Sequence, residues 1–135
     1  MQIQPLLLIA EDDPDDQLLI QDAIDKSCPP EIDIYFVWDG VELIDFLQKK
    51  GKGASRPDLL LLDLNMPRKD GRDALREIKT DPDLASIPVA ILTTSTNERD
   101  AQYCQQYGVV GYFRKPGSMT ELNEIISGLC MDYLN

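Results

Sequence analysis

Apolar residues along the chain gather in five short runs, and the longer stretches after them repeat apolar residues every three or four positions. A run of consecutive apolar residues is typical of a strand covered on both faces, because neither face then needs polar side chains. The second run is strand-like through its β-branched and aromatic residues. The sequence therefore predicts five strands, LLLIA (6–10), DIYFVWD (33–39), LLLLD (59–63), IPVAILTTS (87–95) and VVGYFRKP (109–116).

The stretches that follow these runs have the period of amphipathic helices. In the last of them, apolar residues fall at i, i+3, i+4 and i+7 from Leu122. Asp13 is the expected N-cap of the first helix and Pro14 its first residue, because Asp favours the cap and Pro the opening position. The predicted helices span 14–27, 40–50, 71–81, 97–108 and 118–134.

Strands that alternate with helices in this way favour one α/β domain with a parallel sheet. Right-handed crossovers place helices on both faces of that sheet, which gives a doubly wound architecture. The stretch QKKGKGASRPD (48–58) is predicted to form a surface loop. Ligands of open parallel sheets bind beyond the carboxyl ends of the strands, so candidate chemistry is expected at that edge.

Acidic side chains follow two strands that we expect to be neighbours. Glu11, Asp12 and Asp13 follow the first strand, and Asp63 ends the third. A preference for helix N-termini explains Asp13 but not Asp63, which precedes a loop. Carboxylates that converge repel one another and stay ionised together only beside a cation. Because oxygen ligands without His or Cys suit a hard ion, the sequence predicts a Mg²⁺ site at Glu11, Asp12 and Asp63.

A hydroxyl group and an ammonium group end two further strands at the same edge. Thr93 lies at the end of the fourth strand, and Lys115 follows the fifth. Mg²⁺, a lysine and a hydroxyl group around a carboxylate form an arrangement suited to phosphoryl transfer. We therefore expect Asp63 to act as a nucleophile that forms an aspartyl phosphate.

Composition and charge exclude several classes of function. The 135 residues suffice for one domain, and 24 acidic against 13 basic residues give a net charge of −11, which disfavours nucleic acids and anionic membranes as partners. The absence of histidine excludes Ser-His-Asp and Cys-His catalysis and His-ligated zinc. The N-terminal stretch fits neither a signal peptide nor a membrane span. Cys28, Cys104 and Cys130 are interpreted as reduced, packed thiols, so a cytoplasmic location is expected.

Four motifs together resemble the receiver domain of two-component response regulators. They occur in the order typical of that family and cover nearly the whole chain. The resemblance implies a flavodoxin-like (βα)5 fold with strand order 2-1-3-4-5, and a single receiver domain over 1–135 without an output domain. The motifs are LLLIAEDDPDD (6–16), DLLLLDLNMPRKDG (58–71), IPVAILTTS (87–95) and GYFRKP (111–116).

The resemblance also implies a role for each polar position at the carboxyl edge. Asp63 is the implied phosphoacceptor, and the protein would catalyse only its own phosphorylation and slow dephosphorylation. Asp12 is implied to bind Mg²⁺ directly, Glu11 through water and Asn65 through its backbone carbonyl. Thr93 and Lys115 are implied to contact the phosphoryl group, and Tyr112 is the implied switch aromatic.

Partners follow from the same resemblance. Because the chain has no histidine, the phosphoryl donor is implied to be a histidine of a sensor histidine kinase. The long loop before the third strand and the motif NMPRKDG are similar to those of receivers that serve phytochrome-like kinases, a group that dimerises through the fourth helix, fifth strand and fifth helix. Phosphorylation would draw Thr93 toward the phosphoryl group and let Tyr112 turn inward, which changes contacts with a downstream protein the sequence does not identify.

Two other interpretations remain open at this point. A Mg²⁺-dependent phosphatase with an aspartate nucleophile would carry a second Asp, as general acid, two residues after the nucleophile. The chain has Asn65 there, and an amide cannot do acid–base work. An interaction module that works without phosphorylation could also keep this fold, although every position of the site carries a compatible residue.

Overall fold

Five strands form one parallel sheet in the computed structural model, which describes residues 4–50 and 56–135. The sheet order is β2-β1-β3-β4-β5, which confirms the predicted α/β fold and strand order. The strands are β1 (Leu6–Ala10), β2 (Asp33–Val37), β3 (Leu59–Leu62), β4 (Val89–Thr93) and β5 (Gly111–Arg114). The helices are α1 (Pro14–Ser27), α2 (Gly40–Lys50), α3 (Gly71–Thr80), α4 (Glu98–Gln106) and α5 (Met119–Tyr133).

The boundaries agree with the predicted ones at β1, α1 and α2 and shift elsewhere by one or two residues at an end. Asp13 caps α1 as predicted: its side chain accepts hydrogen bonds from the backbone N–H groups of Asp15 and Asp16. Residues 48–50, which the predicted loop shared with the second predicted helix, belong to α2. Residues 51–55 of that loop lie outside the described part of the chain.

β1 and β3, two of the three interior strands of the sheet, are buried on both faces. Leu8 and Leu60 face the hydrophobic cluster under α2, α3 and α4, whereas Leu7 and Leu61 face the cluster under α1 and α5. All four side chains are almost inaccessible to water, and burial of a leucine contributes about 1.5–3 kcal/mol. The continuous apolar run in β3 therefore fixes the backbone that leads directly into Asp63.

Strand register sets the order of side chains at the carboxyl edge. Ala10 of β1 is paired with Leu62 of β3, so the next residues, Glu11 and Asp63, leave the sheet side by side. The backbone N–H of Asp63 donates to the Ala10 carbonyl at 3.1 Å. On the other side, the N–H of Lys115 donates to the carbonyl of Thr93 at 2.7 Å, which joins the ends of β4 and β5.

The cysteines correct one prediction. Cys28, which follows α1, forms a disulfide with Cys130 of α5, with 5.7 Å between the two Cα atoms. Cys104 is free and buried, as predicted. The prediction of reduced thiols was wrong for Cys28 and Cys130 because α1 and α5 pack side by side on one face of the sheet, a proximity that cysteine spacing along the chain does not reveal.

Within the described ranges 4–50 and 56–135, no helix has the length and apolar character needed to cross a membrane.

Candidate functional site

Three carboxylates converge where β1 and β3 end. Glu11, Asp12 and Asp63 each place a carboxylate oxygen within 4.8 Å of the others, as the strand order predicts. Glu11 is 1% exposed and Asp63 is 5% exposed, whereas Asp12 faces solvent. Glu11 and Asp63 are therefore buried, and the cluster is open to solvent at Asp12.

Lys115 crosses from the end of β5 to this cluster. Its ammonium nitrogen lies 2.6 Å from Oε1 of Glu11, 2.7 Å from Oδ2 of Asp16 and 3.0 Å from Oδ2 of Asp63. The sequence reasoning did not include Asp16 in the site. An acid in the first turn of a helix is expected for the helix alone, so no sequence signal distinguished Asp16 from its neighbours.

Burial and charge act against one another at the cluster. Burial is the main cause that raises the pKa of Glu11 to about 7, although hydrogen bonds from Lys115 and from the Asp13 N–H oppose it. Burial alone would lower the pKa of Lys115, but its hydrogen bonds to Asp16, Glu11 and Asp63 outweigh burial and raise it. The lysine therefore stays protonated.

The donor set of this cluster fits a hard divalent cation. Lys115 brings one positive charge to the four carboxylates of Glu11, Asp12, Asp16 and Asp63, so these five side chains keep an excess of negative charge when all are ionised. The ligands that converge are all carboxylate oxygens, which suit Mg²⁺ or a similar ion better than a soft metal. Glu11, Asp12 and Asp63 are the side chains that would hold it.

Both oxygens of Asp63 have partners. Oδ2 contacts Lys115, and Oδ1 accepts a hydrogen bond from the backbone N–H of Asn65 at 3.1 Å. This local turn, in which an Asp side chain binds the N–H two residues later, places the main chain of Asn65 beside the carboxylate. Asn65 itself is exposed, and the role predicted for its carbonyl stays a prediction.

Gly71 lets α3 begin directly against the backbone of Asp63. The N–H of Gly71 donates to the carbonyl of Leu64 at 2.9 Å. A Cβ atom at position 71 would lie 2.3 Å from the carbonyl oxygen of Asp63, closer than any real Cβ contact. Position 71 therefore requires a residue without a side chain.

The two residues predicted to act as a switch lie on β4 and β5. Thr93 is fully buried, and its hydroxyl oxygen accepts the N–H of Ser95 at 3.3 Å. The ring of Tyr112 packs against the core under α2, α3 and α4, and burial raises its pKa. Its hydroxyl is buried, and interaction with the Ser95 side chain partly opposes the effect of burial on this pKa. The role predicted for Tyr112 as a switch stays a prediction.

Most of the chain matches one known protein family. Residues 7–127 match the family described as response regulator receiver domain. The chain belongs to this family. This receiver domain is similar to response regulator Rcp1 of Synechocystis, with 38% identity over 126 residues, which make up 92% of this chain and 85% of Rcp1.

Solved structures resemble the receiver domain over nearly its full length. The phosphorylated cyanobacterial phytochrome response regulator RcpA is 39% identical, with a TM-score of 0.87, and the match covers 98% of this chain and 95% of RcpA. The Mn²⁺-bound form of response regulator Rcp1 is 36% identical, with a TM-score of 0.84, and the match covers 97% and 95% of the two chains. The flavodoxin-like fold is therefore shown.

Proposed function

We propose that this receiver domain accepts a phosphoryl group on Asp63 from a phosphohistidine of a sensor histidine kinase. A carboxylate oxygen of Asp63 attacks the phosphorus atom, the bond from phosphorus to the histidine nitrogen breaks, and the histidine leaves with that electron pair. A bound Mg²⁺ would supply charge neutralisation between Asp63 and the incoming phosphoryl group. The observation that carries the proposal is the Asp63 carboxylate, held 3.0 Å from Lys115 beside Glu11 and Asp12.

Residues of this chain position the acceptor and balance its charge. Lys115 pairs with the carboxylate before transfer and can follow the phosphoryl oxygens afterwards, since it is already shared among three acids. Glu11, Asp12 and Asp63 would hold the metal, and Asn65 would contribute its backbone carbonyl. Thr93, at the end of β4, binds a phosphoryl oxygen through its hydroxyl group.

The same residues favour a phosphoacceptor over an enzyme that turns over external substrates. A phosphatase of the aspartate-nucleophile kind needs a general acid close to Asp63, and position 65 is an amide. We therefore expect one phosphoryl group per chain followed by slow self-hydrolysis. Continuous release of phosphate from an added phosphomonoester would instead support the phosphatase.

Transfer onto Asp63 is tested with a phosphorylated histidine kinase in the presence of Mg²⁺. The wild-type chain should take up label, and Asp63→Asn should take up none because its amide is not a nucleophile. Asp45→Asn is the matched control, since Asp45 is an exposed acid on α2 away from the site. Undiminished labelling of Asp63→Asn would exclude Asp63 as the acceptor. A folded wild-type chain that accepts no label from any kinase or small phosphodonor would support the interaction module.

An exposed apolar pair on α1 supports kinase docking next to the acceptor. Leu18 is 70% exposed and Leu19 is 45% exposed, and the first turn of the same helix delivers Asp16 to Lys115. Leu18→Asp should slow transfer from the kinase and leave labelling by a small phosphodonor unchanged, because only the kinase needs this surface. Met131→Asp, at an equally exposed position near the end of α5, is the control.

The kinase we propose is phytochrome-like, because RcpA, a phytochrome response regulator, is 39% identical to this chain. The phosphorylated chain would signal through altered contacts of α4, β5 and α5 with a downstream protein or with a second copy of itself. We further propose that it works in the cytoplasm, where such kinases present their histidines. Its charge of −11 disfavours DNA and anionic membranes as targets.

A further inference from the structure

Arg72, in the first turn of α3, joins two helices that flank the site. Its Nε lies 2.7 Å from Oδ1 of Asp100, and its Nη2 lies 2.6 Å from Oδ2 of the same residue on α4. The guanidinium and carboxylate therefore meet as two parallel hydrogen bonds, the strongest geometry available to this pair. The Arg72 side chain is 28% exposed and that of Asp100 is 11% exposed, so solvent screens the pair only partly.

The remaining contacts of Arg72 lead to the acceptor. Its Nη1 donates to the carboxylate of Asp70, the N-cap of α3, at 3.0 Å, and lies 3.4 Å from the carbonyl of Leu64, the residue after Asp63. The hydroxyl group of Tyr103, on α4, donates to the backbone carbonyl of Arg72 at 3.0 Å. Arg72 is thus fixed at both its side chain and its backbone.

Asp100 also contacts the segment that follows β4. The hydroxyl group of Ser95 donates to Oδ2 of Asp100 at 2.5 Å, the same oxygen that Nη2 of Arg72 contacts. The N–H of Ser95 in turn donates to the hydroxyl oxygen of Thr93 at 3.3 Å, and the N–H of Asn97 donates to the Ser95 hydroxyl. A continuous chain of hydrogen bonds therefore runs from Arg72 to the side chain of Thr93.

Both charged groups of the chain remain ionised at neutral pH. The hydrogen bond from Arg72 is the largest cause that lowers the pKa of Asp100 to about 2, with a smaller contribution from Ser95. The hydrogen bond to Asp100 likewise raises the pKa of Arg72. The ion pair between Arg72 and Asp100 is therefore present throughout the physiological pH range.

We propose that Arg72 and Asp100 are positioning residues that hold residues 94–97 in the arrangement of this structure and oppose movement of Thr93 toward a phosphoryl group on Asp63. Movement of the Thr93 hydroxyl toward the phosphoryl oxygens would stretch its 3.3 Å contact with the Ser95 N–H unless residues 94–97 moved with it. Ser95 is held by Asp100, and Asp100 is held by Arg72. The inference rests on the proposed function, since it assigns the residues that set how readily the phosphorylated arrangement forms.

The first test follows amide hydrogen exchange in the chain without phosphodonor. Arg72→Gln should accelerate exchange at the N–H groups of Ser95 and Asn97 by about fivefold or more, the effect of one lost hydrogen bond, while β1 amides are unchanged. Arg72→Lys should restore part of the protection. Arg76→Gln is the control, because Arg76 lies on the same helix in an exposed, looser pair with Asp73. Unchanged exchange at Ser95 and Asn97, or equal acceleration in β1, would overturn the proposal.

The second test measures the rate at which a small phosphodonor labels Asp63 with Mg²⁺ present. Arg72→Gln, Asp100→Asn and Ser95→Ala should each label faster than wild type, because less restraint opposes the motion of Thr93. The double variant Arg72→Gln/Ser95→Ala should label no faster than the quicker single variant, since both substitutions interrupt the same series of hydrogen bonds. Slower labelling, or effects that multiply in the double variant, would contradict the proposal. If the wild-type chain takes no label, the proposed function fails, and the exchange comparison still decides the positioning role.

Discussion

Lys115 contacts Glu11, Asp16 and Asp63 at once, so the charge balance of the acidic edge depends on one side chain. Glu11 and Asp63 are buried, and a buried carboxylate that loses its partner is destabilised far more than an exposed one. This residue therefore serves the stability of the fold as well as the acceptance of a phosphoryl group. The two roles can be separated because a divalent cation can replace the charge but not the contact with phosphate.

Lys115→Gln should lower the free energy of unfolding at neutral pH by about 3 kcal/mol, because it leaves buried carboxylates without their ammonium partner. Added Mg²⁺ should raise the thermal unfolding midpoint of this variant by more than it raises that of wild type, since the cation replaces the lost charge. Thermal unfolding with and without MgCl₂ measures both effects. Lys49→Gln, an exposed change on α2, is the control. Equal gains from Mg²⁺ in both proteins would contradict a shared electrostatic site.

The Arg72–Asp100 pair gives a prediction for pH dependence. Its carboxyl has a pKa of about 2 in the folded chain against an ordinary 3.8, so the folded state favours the ionised form. The resulting stability is fully present above pH 3.8 and is lost as pH falls through 2. Asp100 faces Arg72, which stays charged over this window, with Asp70 beyond it. It also faces the neutral hydroxyl of Ser95, the Cys104 thiol and the Tyr112 hydroxyl, and none of these three groups ionises between pH 2 and pH 7.

Asp100→Asn should therefore cost about 1–3 kcal/mol of unfolding free energy at pH 7. The difference from wild type should persist at pH 5 and shrink at pH 3, because at pH 3 the Asp100 carboxyl is largely protonated in the unfolded chain but still ionised in the folded one. Urea unfolding at the three pH values measures it. Asp73→Asn, which breaks an exposed pair with Arg76, should cost little at any pH. A loss of unfolding free energy in Asp100→Asn that does not change with pH would show that hydrogen-bond geometry, and not the carboxylate charge, stabilises the pair.

Secondary-structure elements were the part most predictable from the sequence. β1 and β3 are covered on both faces, which forces unbroken apolar runs, and Asp13 with Pro14 marks the start of α1. The convergence of Glu11, Asp12 and Asp63 followed from the positions of those strand ends. Asp16 could not be predicted, because its contact with Lys115 depends on how α1 is rotated over the sheet. The same holds for Arg72 with Asp100, whose pairing depends on how α3 packs beside α4.

Gly71 and Gly128 lie on two helices and differ in the space around them. Gly71→Ala should destabilise the chain and disturb the backbone of Asp63, because the new Cβ would lie 2.3 Å from its carbonyl oxygen. Gly128→Ala, inside α5, meets nothing within 4 Å, so it should stabilise the chain by about 0.5–1 kcal/mol through helix propensity. Urea unfolding measures both, and the chemical shift of the Asp63 amide reports the local change. A neutral Gly71→Ala would show that α3 can move away from the acceptor at no cost.

The whole molecule is closed on itself by the disulfide between Cys28 and Cys130, which spans 102 residues of sequence. It links the first helix to the last on the face of the sheet opposite α2, α3 and α4. A crosslink over so long a loop restricts the unfolded chain strongly, so it stabilises the fold without adding a contact at the acidic site. A reducing cytoplasm would open this disulfide, so a chain in that compartment would lack the stability that the crosslink adds.

Replacement of both cysteines, Cys28→Ser with Cys130→Ser, should lower the unfolding free energy by about 2–5 kcal/mol, because the unfolded chain regains the freedom that a 102-residue loop had lost. Treatment of wild type with a dithiol reductant should give the same loss. Cys104→Ser is the control for reductant sensitivity, since Cys104 is free. The stability of this variant should still fall when the reductant is added. Labelling of Asp63 by a small phosphodonor should survive in the double variant. If the reductant leaves the unfolding midpoint of the wild-type chain unchanged, the disulfide between Cys28 and Cys130 does not form in solution.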